Sequence, residues 1–91
     1  MVQNLVRELL ESTRQDLQKL RLHARRQDTS ALRELAHRIR GAARVLKDQR
    51  LIAYCRELED ACSGLLPDLE EKVALVEQAM LELERVFSQP A

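Results

Sequence analysis

Among the side chains of this 91-residue chain that could carry chemistry, His37 stands apart because of what surrounds it. It lies in a segment whose apolar residues, Leu32, Leu35, Ala36, Ile39, Ala42, Ala43 and Leu46, fall on one stripe of a helix. At about 100° per residue the stripe centres between Leu32 and Ile39, and His37 lies roughly 160° away, on the line most open to solvent. Gly41 follows one turn later on that line, and Arg33, Arg40 and Arg44 fall within about 60° of it on one side. An isolated exposed imidazole is ordinarily just solvated, and an arginine-rich helix face is ordinarily just a soluble one. Gly41 fits that background less well. Glycine inside an exposed helix costs about 1 kcal/mol relative to alanine, and no turn is required there. The position therefore reads as a place where another surface comes close.

The chemistry that suits this set is phosphoryl transfer. A neutral imidazole nitrogen is a good nucleophile toward phosphorus near neutral pH. Arginine neutralises the charge of the resulting phosphoryl group through charge-assisted hydrogen bonds. The reaction needs mostly positioning and electrostatics, so a histidine on a helix can serve if a partner brings the metal and the carboxylate. The other reactive side chains read as structural. Cys55 and Cys62 are seven residues apart on one helix face, about 10 Å along its axis, too far for a disulfide. Both fit an apolar stripe as reduced core thiols, which suits the cytoplasm. His23 sits at a helix C-terminus, where the dipole favours it. No His, Cys and carboxylate set has metal-ligand spacing. With no glycine-rich phosphate loop, ATP binding and autonomous kinase activity are not expected.

Four amphipathic helices must position these groups, over about 2–26, 30–47, 50–64 and 67–88. The first carries Val2, Leu5, Val6, Leu9, Leu17, Leu20 and Ala24, with Thr13 filling the gap in its apolar face. Asp28, Thr29 and Ser30 offer successive N-caps for the second. After Leu46 the stripe loses phase at Gln49 and Arg50, then restarts with Leu51, Tyr54, Cys55, Leu58, Ala61, Cys62 and Leu65. One straight helix could not bury both sets, so a turn falls within Lys47 to Arg50. Gly64 suits a C′ position and Pro67 the N1 position of the last helix, with Asp68, Glu70 and Glu71 near its positive end. Leu69, Val73, Val76, Met80, Leu83 and Phe87 then alternate spacings of four and three, a seam for neighbouring helices. Residues 88–91 read as a frayed tail. Short connections between such helices predict an all-α, antiparallel up-down four-helix bundle forming one domain over residues 1–91.

Composition narrows the function classes. Only Tyr54 and Phe87 are aromatic, and glycine and proline number two each, which excludes an all-β sandwich. No apolar run is long enough to span a membrane, and Met1 is not followed by a signal-peptide pattern. Net charge is zero, but residues 1–50 carry 12 Lys/Arg against 6 Asp/Glu and residues 51–91 carry 3 against 9. That asymmetry fits either a positive face for an acidic partner or two halves attracting each other. Nucleic acid is not an expected partner of a neutral chain with so few aromatics. A self-contained bundle of this size favours a monomer.

The run Ala36-His37-Arg38-Ile39-Arg40-Gly41-Ala42-Ala43 resembles the phosphoacceptor helix of histidine-containing phosphotransfer (HPt) domains, whose pattern is Ala-His-x-aliphatic-Lys/Arg-Gly-x-Ala. The likeness continues at Leu51 and through Cys55-Arg56-Glu57-Leu58-Glu59, and as a four-helix plan over nearly the whole chain. The resemblance implies that His37 exchanges a phosphoryl group with an aspartate of a response-regulator receiver domain. Arg40 would sit beside the phosphoryl group and Gly41 would leave room for the receiver. Glu59 falls where many such domains place a side chain that bonds the histidine, holding one ring nitrogen so that the other points outward. A solvated third-helix carboxylate is the equal alternative. Arg33, Arg38 and Arg44 would attract the acidic receiver pocket, or serve only as surface charge. No cofactor belongs to the chain itself, because the receiver would hold Mg²⁺. One departure is Lys47, which stands where the family commonly has glycine. Tripartite hybrid sensor kinases carry such domains at their C-termini, and the length suits an excised or stand-alone version. The rival reading is a non-catalytic docking module that uses its arginine-rich second helix.

Overall fold

The structure, a computed structural model, describes residues 2–64 and 68–88. Four helices follow one another: α1 (Val2–Arg25), α2 (Thr29–Leu46), α3 (Gln49–Cys62) and α4 (Leu69–Ser88). Each packs against its chain neighbours and α4 closes the ring against α1, while among the described residues the diagonal pairs bring no Cα atoms within 8 Å of each other. The result is the antiparallel up-down bundle that the short connections require, 41 × 22 × 18 Å in extent. Among the described residues there is no strand.

The core is contributed by all four stripes: Leu17 and Leu20 from α1, Leu32, Leu35, Ala36, Ile39 and Ala43 from α2, Leu51, Cys55 and Leu58 from α3, and Val73, Val76, Ala79, Met80 and Leu83 from α4. Ala36 and Ala43 are fully buried, and their small side chains let α2 lie close against α3. Thr13 is buried, as its place on the α1 stripe requires, and its hydroxyl donates to the Leu9 carbonyl at 2.7 Å. Leu5 departs from expectation, being 49% exposed. The reason is helix length. The cross-helix pairs Arg14–Glu84 and Arg21–Glu77 set the register of α1 against α4. In that register Ser88 ends level with residue 10, so the first two turns of α1 run past the end of the bundle. The side chains of Val2, Val6 and Phe87, together with Leu65, Pro67 and residues 89–91, lie outside the described residues.

The first two connections share one design. Gln27 and Lys47 both adopt the left-handed conformation, with φ of 53° and 58°. Asp28 N–H donates to the His23 carbonyl at 3.0 Å, and Asp48 N–H to the Ala43 carbonyl at 3.0 Å. These are the six-to-one bonds of a Schellman ending. The same two aspartates then cap the next helix, accepting from Ala31 N–H and Leu51 N–H, each at 3.1 Å. One residue thus closes one helix and opens the next. This resolves the turn expected between Lys47 and Arg50 into Lys47 and Asp48 alone, with α3 starting at Gln49. Lys47 takes up the left-handed position at which glycine is the usual occupant. Gly64 (φ 79°) fills the corresponding place after α3.

Candidate functional site

The two-residue connection determines what faces His37. His37 lies about 15 Å before the turn along α2, and Glu59 about 17 Å beyond it along α3, at 1.5 Å per residue. In an antiparallel pair these positions meet. His37 Nδ1 is 3.5 Å from Glu59 Oε1. Arg40, one turn on from His37, folds back between them: its Nη2 is 3.0 Å from His37 Nδ1 and its Nη1 is 3.3 Å from Glu59 Oε2.

The three side chains differ in exposure. The imidazole is 70% exposed, whereas the Glu59 and Arg40 side chains are only 17% and 18% exposed. The ring therefore stands on a floor of opposite charges. All its polar contacts fall on Nδ1, and Nε2 has no polar partner among the described residues. Glu59 Oε2 is buried without a hydrogen bond; its contact with Arg40 has the distance of an ion pair but not the directionality of a bond. A buried carboxylate oxygen with no donor aimed at it is costly.

Gly41 is exposed, and a Cβ placed there would meet nothing within 4 Å. Neither the chain's own packing nor a positive φ demands glycine at this point. Ser30, Arg33, Glu34, His37 and Glu59 line a shallow open groove between α2 and α3, on the N-terminal side of the imidazole. Arg33 and Arg44 are both exposed and hold no ion pair among the described residues. Arg38 is not brought to the site. Its guanidinium turns to α1 and pairs with Asp16, a carboxylate almost wholly buried there. Asp16 was not anticipated as a functional or structural charge. The signal was its place on the α1 stripe, one turn from both Thr13 and Leu20, where a charge needs a partner.

The thiols belong to the interior behind the site. Burial pushes Cys55 up from 9.0 to about 12, with the Glu59 charge adding to the shift and Arg40 opposing it. Cys62 is also raised by burial, against the pull of Arg33. At both positions burial disfavours the thiolate, the nucleophilic form. Among the described residues no group of His, Cys, Asp and Glu converges to hold a metal, and no helix is long and apolar enough to cross a membrane.

Fold and site together define the class: an all-helical bundle that presents one histidine from the middle of its second helix, on an open side and not in a cleft. The family model of the Hpt domain matches residues 4–86, and the chain belongs to that family. Membership places it in the phosphotransfer of two-component signalling, where the partners are response regulators. No curated protein and no solved structure is matched by the chain.

Proposed function

We propose that the chain is a phosphorelay intermediate in which His37 accepts a phosphoryl group from a receiver-domain aspartate and returns it to another. The observation that carries this reading is the His37 side chain, 70% exposed and with its polar contacts on Nδ1, one turn from the empty space over Gly41. A receiver can press against bare backbone there and bring its acyl phosphate to the ring. In the transfer a bond forms between Nε2 and phosphorus while the bond from phosphorus to the aspartate oxygen breaks, and the carboxylate leaves with the electron pair. The ring becomes cationic with its proton on Nδ1, and Glu59 lies where it offsets that charge. Arg40 supplies positive charge to the phosphoryl oxygens. Mg²⁺ belongs to the receiver in this scheme, so the chain acts as carrier and co-substrate with no kinase activity of its own. It works as a cytoplasmic monomer, alone or appended to a hybrid sensor kinase.

Incubation with a phosphorylated receiver is the direct test. The expected result is acid-labile, alkali-stable phosphate on the chain and none on the His37→Gln variant. Equal labelling of the two would end the proposal. Arg33 and Arg44, exposed and without an ion pair among the described residues, favour a second reading, a docking module with no chemistry. Such a module would bind receivers unchanged as His37→Gln, carry no label, and lose binding when Arg40 and Arg44 are both reversed to glutamate.

A further inference from the structure

Nδ1 of His37 has two neighbours that ask opposite things of it. Arginine has only donors, so a hydrogen bond from Arg40 Nη2, 3.0 Å away, requires a lone pair on Nδ1. In a neutral ring the proton then sits on Nε2, and the exposed nitrogen has no electron pair to offer. Glu59 has only acceptors when ionised, so its bond to Nδ1 requires the proton there and frees the Nε2 pair. In this structure Glu59 Oε1 stands off at 3.5 Å, longer than a good hydrogen bond, while Arg40 occupies the closer position.

We infer that Arg40 is a tautomer gate: at rest it holds His37 in the Nε2-protonated, unreactive form, and it releases the ring only when an anion draws the guanidinium away. The inference rests on the phosphorelay reading and adds a regulatory step to it. Two features support it. Arg40 already spans His37 and Glu59 from a half-buried position, so a small swing of its head exchanges one partner for another. Glu59 Oε1 stands 3.5 Å from Nδ1, so a small closure lets it accept a proton placed there once the guanidinium has left. When a phosphoryl group arrives, the guanidinium moves to its oxygens. Nε2 gives its proton to water, Nδ1 takes one from water, and Glu59 closes on Nδ1–H. The nucleophilic pair thus becomes available in the presence of the group it attacks. Arg40 is here a positioning residue for the imidazole as well as a charge for the phosphoryl group.

Long-range ¹H–¹⁵N correlation of the imidazole rings reads the tautomer directly, at a pH above the histidine titration and with His23 as the internal reference. The unphosphorylated chain should show mainly Nε2–H at His37. Arg40→Met, which keeps the apolar stem, should swing the ratio about tenfold toward Nδ1–H, roughly what one charge-assisted hydrogen bond is worth. Adding Glu59→Leu to that variant should remove the swing. Inorganic phosphate should shift the parent toward Nδ1–H and leave Arg40→Met unmoved. A parent already in the Nδ1–H form, an Arg40→Met ratio equal to the parent's, or no response of the parent to phosphate would each overturn the gate. No phosphodonor enters these measurements, so they can fail while His37 still accepts label, and the relay can fail while the tautomer still swings.

Discussion

Opposite charges meet across every edge of the bundle, but two of those edges do different work with them. Along α1 and α4, Arg14–Glu84 (2.8 Å) and Arg21–Glu77 (3.3 Å) lie on the surface, with arginine side chains 54% and 48% exposed. Along α2 and α3, Arg40 and Glu59 are mostly covered and share a third member, His37. The first edge spends the basic character of the N-terminal half on the acidic C-terminal half, so much of the charge asymmetry of the sequence is internal cohesion. Water screens such pairs, and each contributes at most about 1 kcal/mol. At the second edge the two charged groups are mostly covered and both face one nitrogen of an exposed imidazole. Exposure, more than pairing, separates cohesion from chemistry.

Substitutions on the two edges should separate accordingly. Glu59→Ala is expected to have the largest effect, slowing phosphoryl acceptance from a labelled receiver by about 10- to 100-fold, the usual penalty for losing a partner that orients a reactive group. Its melting temperature should fall far less than its rate. If transfer proceeds at the parental rate, the covered edge is no more than scaffold. Gly41→Ala should raise helix stability by about 1 kcal/mol, measured by urea unfolding, and yet weaken receiver binding, because the added methyl occupies space that only a partner would fill. A variant that gains stability and binds equally well would remove Gly41 from the contact surface. Lys47→Gly should stabilise by about 0.5–1 kcal/mol by relieving a left-handed non-glycine residue, with transfer unchanged. Arg21→Ala, on the exposed edge, should change unfolding free energy by less than about 0.5 kcal/mol and leave transfer untouched. A larger loss would mean that the surface pairs act as a network.

Much of the architecture was legible because each helix carries its own apolar period, and a period is a local property. The stripes containing Leu32, Leu35 and Ile39, or Val73, Val76 and Met80, point to a core whatever the other helices do. The exposed line through His37 and Gly41 follows from the same arithmetic. What a single-helix wheel does not contain is the register between helices and the direction of long side chains. Arg38 and Arg40 both follow the same imidazole within one turn, yet one reaches to Asp16 on α1 and the other folds onto α3. Leu5 matches the α1 stripe perfectly well and is still exposed, because α1 outlasts the helices beside it. The junction at Lys47 lacked a glycine or proline to mark it, since a lysine there adopts the conformation glycine would supply more easily.

The shared aspartate after Lys47 makes the α2–α3 hairpin a ruler. With one residue closing a helix and opening the next, the connection has no slack in which to absorb a change of chain length. A single residue inserted there would turn α3 by about 100° and slide it about 1.5 Å, bringing Leu58 round toward the imidazole in place of Glu59. The dimension this domain can least afford to vary is therefore not a side chain at all but the count of residues between positions 37 and 59.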